Sequence, residues 1–535
     1  MPRTRCRPRP TQTKVLTPVA TRCPECGHRL RTTRCKYRTV TTLDAVTRLT
    51  LRIRCCPNPN CSCFHHPHRP EAESLLVLPH HEFGLDVLAL VGRLRHTEHR
   101  SIPEIHQELA RRGVVVALRS VSNLLDRYDE LRALATADRD RLHAILSKQR
   151  RVVLAIDGLQ PDVGHGVLWV VRDCLSGEVL LARSLLSATI KDLKALLREA
   201  CQVVPVPIRG VVSDGQSTIR KAVAQALPGV PNQLCHFHYL REAARPIYEA
   251  DRHAKKELKQ RVRGVRPIER LAEKEKGEPG EVLGDYCRAV RSALTDDGLP
   301  PLCAAGLKLQ ERLAQIAASL DRVAAQTGHL PRGLEKLRRL LRRGLDQTAP
   351  WWPPVRATYR WVKRVARLLE NSRGQPASQV RRGLSALLSA IRRATAQSKD
   401  PVVTEQLWHF VKVTRSFWPG LFHCYAWSDI PRTNNDLEHL FGSHRYHERR
   451  ASGRKQSSPG LVVQGSARVV ASLATRSRPE EGLKLPPGYV EDWQRLRADL
   501  DKRQEGRRKQ RRFRRDPVGY LRQLEERCLA PSLPT

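Results

Sequence analysis

Between Arg151 and His238 the chain is cut into short apolar runs closed by Gly or Pro, a length and spacing that suit buried strands better than helices. The runs are RVVLAIDG, the pair VLWVVRDC and GEVLLARSLL, then IRGVVSDG and finally NQLCHFH. Helical spacing intervenes twice, from about Ile190 and again in the 220s. The expected order is strand, strand, strand, helix, strand, helix, strand, which predicts a mixed α/β sheet. Two of the strands are expected to end on an aspartate followed by glycine, Asp157-Gly158 and Asp214-Gly215. Either pair alone usually just starts a turn. Two of them at matching strand ends, where sites collect in such sheets, make Asp157 and Asp214 candidate catalytic residues.

At 535 residues the chain exceeds a single core and should hold several domains. Lys and Arg total 95 against 54 Asp and Glu, a formal charge of +41. Such an excess points to a polyanion partner. An anionic membrane surface is the rival, but no apolar run reaches 18 residues and no apolar segment follows the basic N-terminus to form a signal peptide. A soluble, intracellular protein is expected. Aromatic residues make up only 5%, so most cations should meet phosphates rather than serve base-stacking platforms.

Eight of the 15 cysteines precede residue 64: Cys6, Cys23, Cys26, Cys35, Cys55, Cys56, Cys61 and Cys63. In an intracellular chain such a cluster favours metal over disulfides. Cys23-Pro24-Glu25-Cys26 forms one knuckle and Cys56-Pro57-Asn58-Pro59-Asn60-Cys61 the other half, with the strand-like run Val40 to Ile53 between them. Four thiolates would close a tetrahedral structural Zn2+ site. The second spacing is wide, and Cys55, Cys63 and His65 are nearby substitutes. Free thiols in a small module are the bland alternative, set against the thin core of so short a segment.

From Phe83 to Leu134 the spacing is helical. Ser101-Ile102-Pro103-Glu104 starts a helix with Ser as cap and Pro in the first turn, and it ends at Gly113. A second helix from about Leu118 carries Arg119, Asn123 and Arg127. Helix, Gly-containing turn, helix is the helix-turn-helix pattern, in which the second helix reads bases in the major groove: Asn pairs with adenine and Arg with guanine. A helical linker that only spaces the neighbouring segments would look the same.

The order of elements from Arg151 to His238 resembles the ribonuclease-H-like core of the DDE transposases, whose first two acids close the first and fourth strands, here in AIDG and VVSDG. The Cys235-x-x-His238 pair is similar to the Cys-x-x-His signature of Mutator-like and related insertion-sequence transposases. The N-terminal cysteine segment resembles the zinc ribbon of one bacterial group of them. The third acid then falls in PRTNNDLEHLFGSHRYHERRASGR, at Glu438 behind Thr433-Asn434-Asn435. At about 100° per residue, Asn434, Glu438, Phe441 and Arg445 share one helix face, whereas Asp436 lies far round it and Glu448 sits in a basic stretch expected to face phosphate.

The resemblance implies a basic arm (1–22), a zinc ribbon (23–70), a helix-turn-helix (75–135), a ribonuclease-H-like core (150–240 and 431–480), an all-helical insertion (241–430) and a basic C-terminal tail (481–535). The insertion accounts for the 224 residues from Asp214 to Glu438, too many for a loop, and for the helical spacing that lasts to Phe417. The implied activity is that of a metal-dependent transposase that binds transposon ends, cleaves the DNA and joins its 3′ ends to target DNA. Asp157, Asp214 and Glu438 would hold two Mg2+ or Mn2+ ions, which suit hard oxygen ligands. Cys235 and His238 support the site as a metal ligand, a DNA contact or a structural bond. The implied setting is double-stranded DNA in the bacterial cytoplasm, with a homodimer or higher oligomer on the DNA. A transposase-derived DNA-binding regulator without catalysis and a nuclease that cuts without joining are the alternatives.

Overall fold

The computed structural model describes residues 8–160, 166–274, 277–296, 298, 303–453, 459–479 and 483–529. Cys6, Arg454 and Lys455, part of the expected basic and cysteine-rich sets, lie outside them. The chain is mixed α/β and mostly helical. It begins with β1 (Gln12–Leu16), β2 (Arg31–Thr41) and β3 (Val46–Cys55), then α1 (Leu85–His96), α2 (Ile102–Arg111), α3 (Leu118–Thr136) and α4 (Arg139–Gln149). The expected order of strands and helices follows: β4 (Val152–Leu159), β5 (Val167–Asp173), β6 (Val179–Leu185), α5 (Ile190–Gln202), β7 (Ile208–Ser213), α6 (Ser217–Ala226) and β8 (Asn232–Leu234). Helices then dominate: α7 (His236–Ala243), α8 (Arg245–Arg261), α9 (Val265–Ala272), α10 (Glu278–Thr295), α11 (Ala305–Thr327), α12 (Arg332–Thr348), α13 (Trp352–Glu370), α14 (Ala377–Gln397), α15 (Pro401–Phe417) and α16 (His423–Ala426). The chain closes with α17 (Asn435–Ser452), α18 (Pro459–Gln464), α19 (Ser466–Ser477), α20 (Tyr489–Arg515) and α21 (Pro517–Leu529).

Two compact units result, Met1–Pro207 with Asp436–Thr535, and Ile208–Asn435. In the first, β3 is the central strand of a small mixed sheet, parallel to β1 and antiparallel to β2. Its alternate residues Leu49, Leu51 and Ile53 point into a core with Leu16, Val40 and Val77, as the two-residue strand period requires. The capping box expected at the start of α2 is present: Glu104 N donates to Ser101 Oγ, and Ser101 N donates to the Glu104 carboxylate. Helix α1 lies so close to α3 that a β-carbon on Gly92 would fall 2.2 Å from the Tyr128 ring, so only glycine fits there.

Strands β4, β5 and β6 pair antiparallel. One face of them is covered by helices: Ala155, Leu159, Leu168 and Val170 pack with Leu437 and Phe441 of α17, Leu461 of α18, and Val469 and Leu473 of α19. The C-terminal segment, expected to be a basic tail, is instead helical and anchored. Tyr489 and Trp493 of α20 join the core of α1–α3, and the run of arginines rides on the helix beyond them.

Helix α3 carries two adjacent buried acids. Asp129 takes His96 Nε2 at 2.7 Å and Arg468 Nε at 2.6 Å, and Arg468 also reaches Asp126 at 2.7 Å. Glu130 takes Arg127 Nη1 at 2.9 Å, Trp493 Nε1 at 2.9 Å and Arg497 Nη1 at 3.2 Å. Burial pushes the Glu130 carboxyl up against the pull of these cations.

The second unit holds a parallel β7–β8 pair and the helices α6 to α16. The helical character expected up to Phe417 is found, with one apolar core running through Leu258, Leu313, Leu337, Val362, Leu384 and Phe410. The compact unit starts at Ile208, earlier than the insertion expected from residue 241, because β8 is part of its packing. Leu234 shares the core of Phe417, Leu421 and Phe422, and Gly420 approaches so closely that a β-carbon there would lie 2.4 Å from Leu234 Cγ.

Replacing Arg468 by Met should lower the stability of the first unit by about 3–5 kcal/mol, because Asp129 is left as a buried charge short of a partner. Denaturant unfolding followed by Trp493 fluorescence, in a background where the other seven tryptophans are replaced by Phe, should show the loss, and an unchanged midpoint would mean that the carboxylate is not held as described.

Candidate functional site

The cysteine knuckles are built by local backbone geometry. After β1 the chain turns at Cys23, where Gly27 N donates to Cys23 O at 3.0 Å and Cys23 N to His28 O at 2.8 Å; Gly27 has a φ of 69°, which only glycine adopts without cost. The other half follows β3, where Cys56 leaves the strand and Cys61 N donates to Asn58 O at 3.2 Å. The turns bring Cys23, Cys26, Cys56 and Cys61 together with their sulfurs within 4.8 Å of one another, a group that could hold a metal such as zinc. Cys26 and Cys56 sulfurs are 3.4 Å apart, and those of Cys23 and Cys61 3.7 Å.

The donor set fits the ion. Four soft sulfurs suit Zn2+ and leave no open position, the signature of a structural centre. The His28 backbone amide holds the Cys26 thiol down at about 6, towards the thiolate that binds metal. Cys63 N donates to Cys61 Sγ at 3.4 Å, orienting a ligand in a way the spacing of cysteines did not announce. Of the substitutes, Cys55 is excluded by parity: next to Cys56 on a strand, it points the other way, to Thr33 Oγ1 at 3.4 Å in the sheet core.

Asp157 lies within β4 rather than at its end, since the strand continues to Leu159. It is 8% exposed, and its Oδ1 accepts Gly158 N at 2.8 Å. By the two-residue period it shares the sheet face of Ala155 and Leu159, the face that α17 covers through Leu437 and Phe441. Glu438 occupies the next position after Leu437 on α17; the side chains of Glu438 and Asp436 lie outside the described residues. The buried stripe of α17 is Leu437, Phe441, His444 and Glu448, so Arg445 is exposed to one side of it. Glu448 therefore does not face a phosphate as expected: it is buried and takes Arg95 Nη2 at 3.0 Å.

Asp214 is the first residue after β7, and its Oδ1 accepts Gln216 N at 2.8 Å. Gly215 follows with a φ of 87°, and a β-carbon there would lie 2.3 Å from the Phe417 ring, so the turn that presents Asp214 depends on glycine. Cys235 caps α7 and is fully buried, accepting Asn434 N at 3.4 Å, which ties the end of β8 to the segment that leads into α17. That is the structural role among those open for Cys235. His238 is on the first turns of α7, partly exposed. The ring that is deeply buried belongs to its neighbour His236, which bonds Leu421 O at 2.8 Å.

One buried acid that the sequence reading passed over, Asp173, is not a ligand candidate. Val153 N, Gln149 Nε2, Ser176 N and Ser176 Oγ all donate to it, within 3.0 Å. On α3, Arg119 and Asn123 are exposed, whereas Arg127 is 6% exposed and engaged with Glu130. Each step of four residues advances about 40° round a helix, so two steps turn Arg127 from the open side of Arg119 into the packed side. It is no base reader.

Zinc measured by elemental analysis should be about one per chain in the full-length protein. Cys23→Ser and Cys61→Ser should lose it and Cys55→Ser should keep it; zinc retained in the first two would place the metal elsewhere. No helix among the described residues is long and apolar enough to cross a membrane. Neither protein-family models nor curated proteins gave a match to this chain.

Proposed function

We propose that the chain is a DNA transposase with a ribonuclease-H-like core, an all-helical insertion, a zinc ribbon and a helix-turn-helix. It would bind transposon ends, cleave the DNA and join the 3′ ends to a target. The observation that carries this reading is the position of Asp157: it lies on the first of three antiparallel strands, on the face packed by the helix that bears Glu438. Asp214, directly after the strand that follows the next helix, completes the set of acids in the chain order of such a core.

Carboxylate oxygens are the hard donors that Mg2+ or Mn2+ requires, and Asp157, Asp214 and Glu438 would hold two such ions. When bound, these ions would activate the attacking water or 3′-hydroxyl and stabilise the leaving oxygen of an in-line displacement. The protein's own part is preorganisation. Backbone amides fix one oxygen of each aspartate, Gly158 N on Asp157 and Gln216 N on Asp214. Cys235 holds the approach to α17 through Asn434.

The surplus of 41 positive charges supplies the grip on duplex DNA. Arg119 and Asn123, on the exposed side of α3, are the base-reading pair, and binding is expected to involve a dimer or larger assembly. Cytoplasmic, nucleoid-associated work follows from the substrate.

Asp157→Asn, Asp214→Asn and Glu438→Gln should each lower Mg2+- or Mn2+-dependent cleavage of transposon-end DNA by orders of magnitude while DNA binding persists. Full cleavage by all three would place the chemistry on other residues, and DNA binding without cleavage by the wild type would leave the regulator in place of the transposase.

Arg119→Ala and Asn123→Ala should each reduce the preference for end DNA over random DNA by about 1–3 kcal/mol. Arg127→Ala should instead lower the melting temperature. An unchanged preference in the first two variants, measured by competition binding, would assign the recognition to another surface.

A further inference from the structure

A cavity of about 470 Å3 in the first unit has an apolar side, with Leu159, Leu168, Leu186 and Leu461, and a polar side with Ser184 of β6 and Arg503, Arg507 and Gln510 of α20. Three buried arginines of this unit are matched by carboxylates, Arg95 by Glu448, Arg127 by Glu130 and Arg468 by Asp126 and Asp129, while Arg132 and Arg476 bond backbone carbonyls. Arg503 is half-buried and, among the described residues, has no carboxylate and no hydrogen-bond acceptor. Burial holds its guanidinium below its ordinary pKa with no counter-charge to offset the cost. A desolvated cation left facing a cavity is what an oxyanion would repay.

The surroundings suit such a group. A β-carbon on Gly465 would lie 2.5 Å from Arg503 Nη1 and 2.9 Å from both Arg503 Nη2 and Ser184 Oγ, so the lack of a side chain there lets the guanidinium and the hydroxyl approach the same stretch of backbone and each other. Gly465 has a φ of 49°, so a larger residue would also be strained. Arg507 and Gln510 sit one and two helical turns further along α20 and add a second cation and an amide donor. A planar guanidinium fork, a hydroxyl and an amide match a tetrahedral phosphate better than a planar carboxylate, which the fork alone would satisfy.

We propose that this cavity binds a single phosphate group of a nucleic-acid backbone, held by Arg503 with Ser184 and Gln510. The site stands on its own geometry, and only the source of the phosphate rests on the DNA-processing reading. The full-length protein and Arg503→Gln are compared in two assays, with thermal melting to show that the variant is folded. Inorganic phosphate, titrated by calorimetry, should bind the wild type and not the variant. Random-sequence duplex DNA, titrated over a range of salt, should show a log–log slope smaller by about 0.9 in the variant, equally for any sequence. Arg503→Lys should keep the slope and bind inorganic phosphate more weakly, since the charge remains and the fork is lost. Equal phosphate binding by wild type and Arg503→Gln, or none by either, would overturn the site. Phosphate binding lost with an unchanged DNA slope would overturn the nucleic-acid source and leave a free phosphate as ligand. If neither protein binds DNA, the functional reading fails while the phosphate assay still decides the cavity.

Discussion

Two neighbouring carboxylates on one helix set the terms for the first unit. Burying Asp129 and Glu130 costs several kcal/mol each unless every lone pair finds a donor. Their donors come from α1, α3, α19 and α20: His96, Arg127, Arg468, Trp493 and Arg497. A hydrophobic core tolerates sliding of one helix past another far better than this arrangement does, because a shift of one turn would strand a charge. The acids therefore fix the rotation of α3, and with it which residues of its first turns remain outside. Arg119 and Asn123 are free to meet a ligand because Arg127 is not.

In the function proposed above, metal chemistry would separate along the chain by donor softness. The sulfur group near the N-terminus, which could hold a metal such as zinc, is built from two turns that flank a strand pair. The oxygen group of the proposed active site is hard, with one oxygen of each aspartate tethered by a neighbouring amide.

Local features were legible in the sequence. The capping box at Ser101, the order of strands and helices from Val152 to Leu234, and the four cysteines each depend on residues close in the chain or on a simple period. Long-range pairing was not legible. Arg127 and Glu448 look like surface charges in a basic sequence, and their burial follows from packing by α20 and α1. The C-terminal arginine run reads as a tail because its anchor, Tyr489 and Trp493, precedes it and its partners lie more than 350 residues away. Cys55 and Cys56 could not be told apart until β3 had a defined end, since parity on a strand decides which of them faces the sheet core.

The first unit is assembled from both ends of the chain, and this bears on how the protein is made. Arg468 and Asp129 are 339 residues apart, Trp493 and Glu130 363. The entropy of closing so long a loop grows only logarithmically, about 0.6 kcal/mol per doubling, so the cost to the finished fold is small. The cost in time is larger. On the ribosome, residues 208–435 are complete before any residue of α19 or α20 exists, and the compact helical unit can form while α3 still waits for its cations. Until they arrive, Asp129 has only His96 of α1 as a partner and Glu130 only Arg127 of α3. The contacts that complete the partners of α3 are thus made only after residues 208–435 have been synthesised.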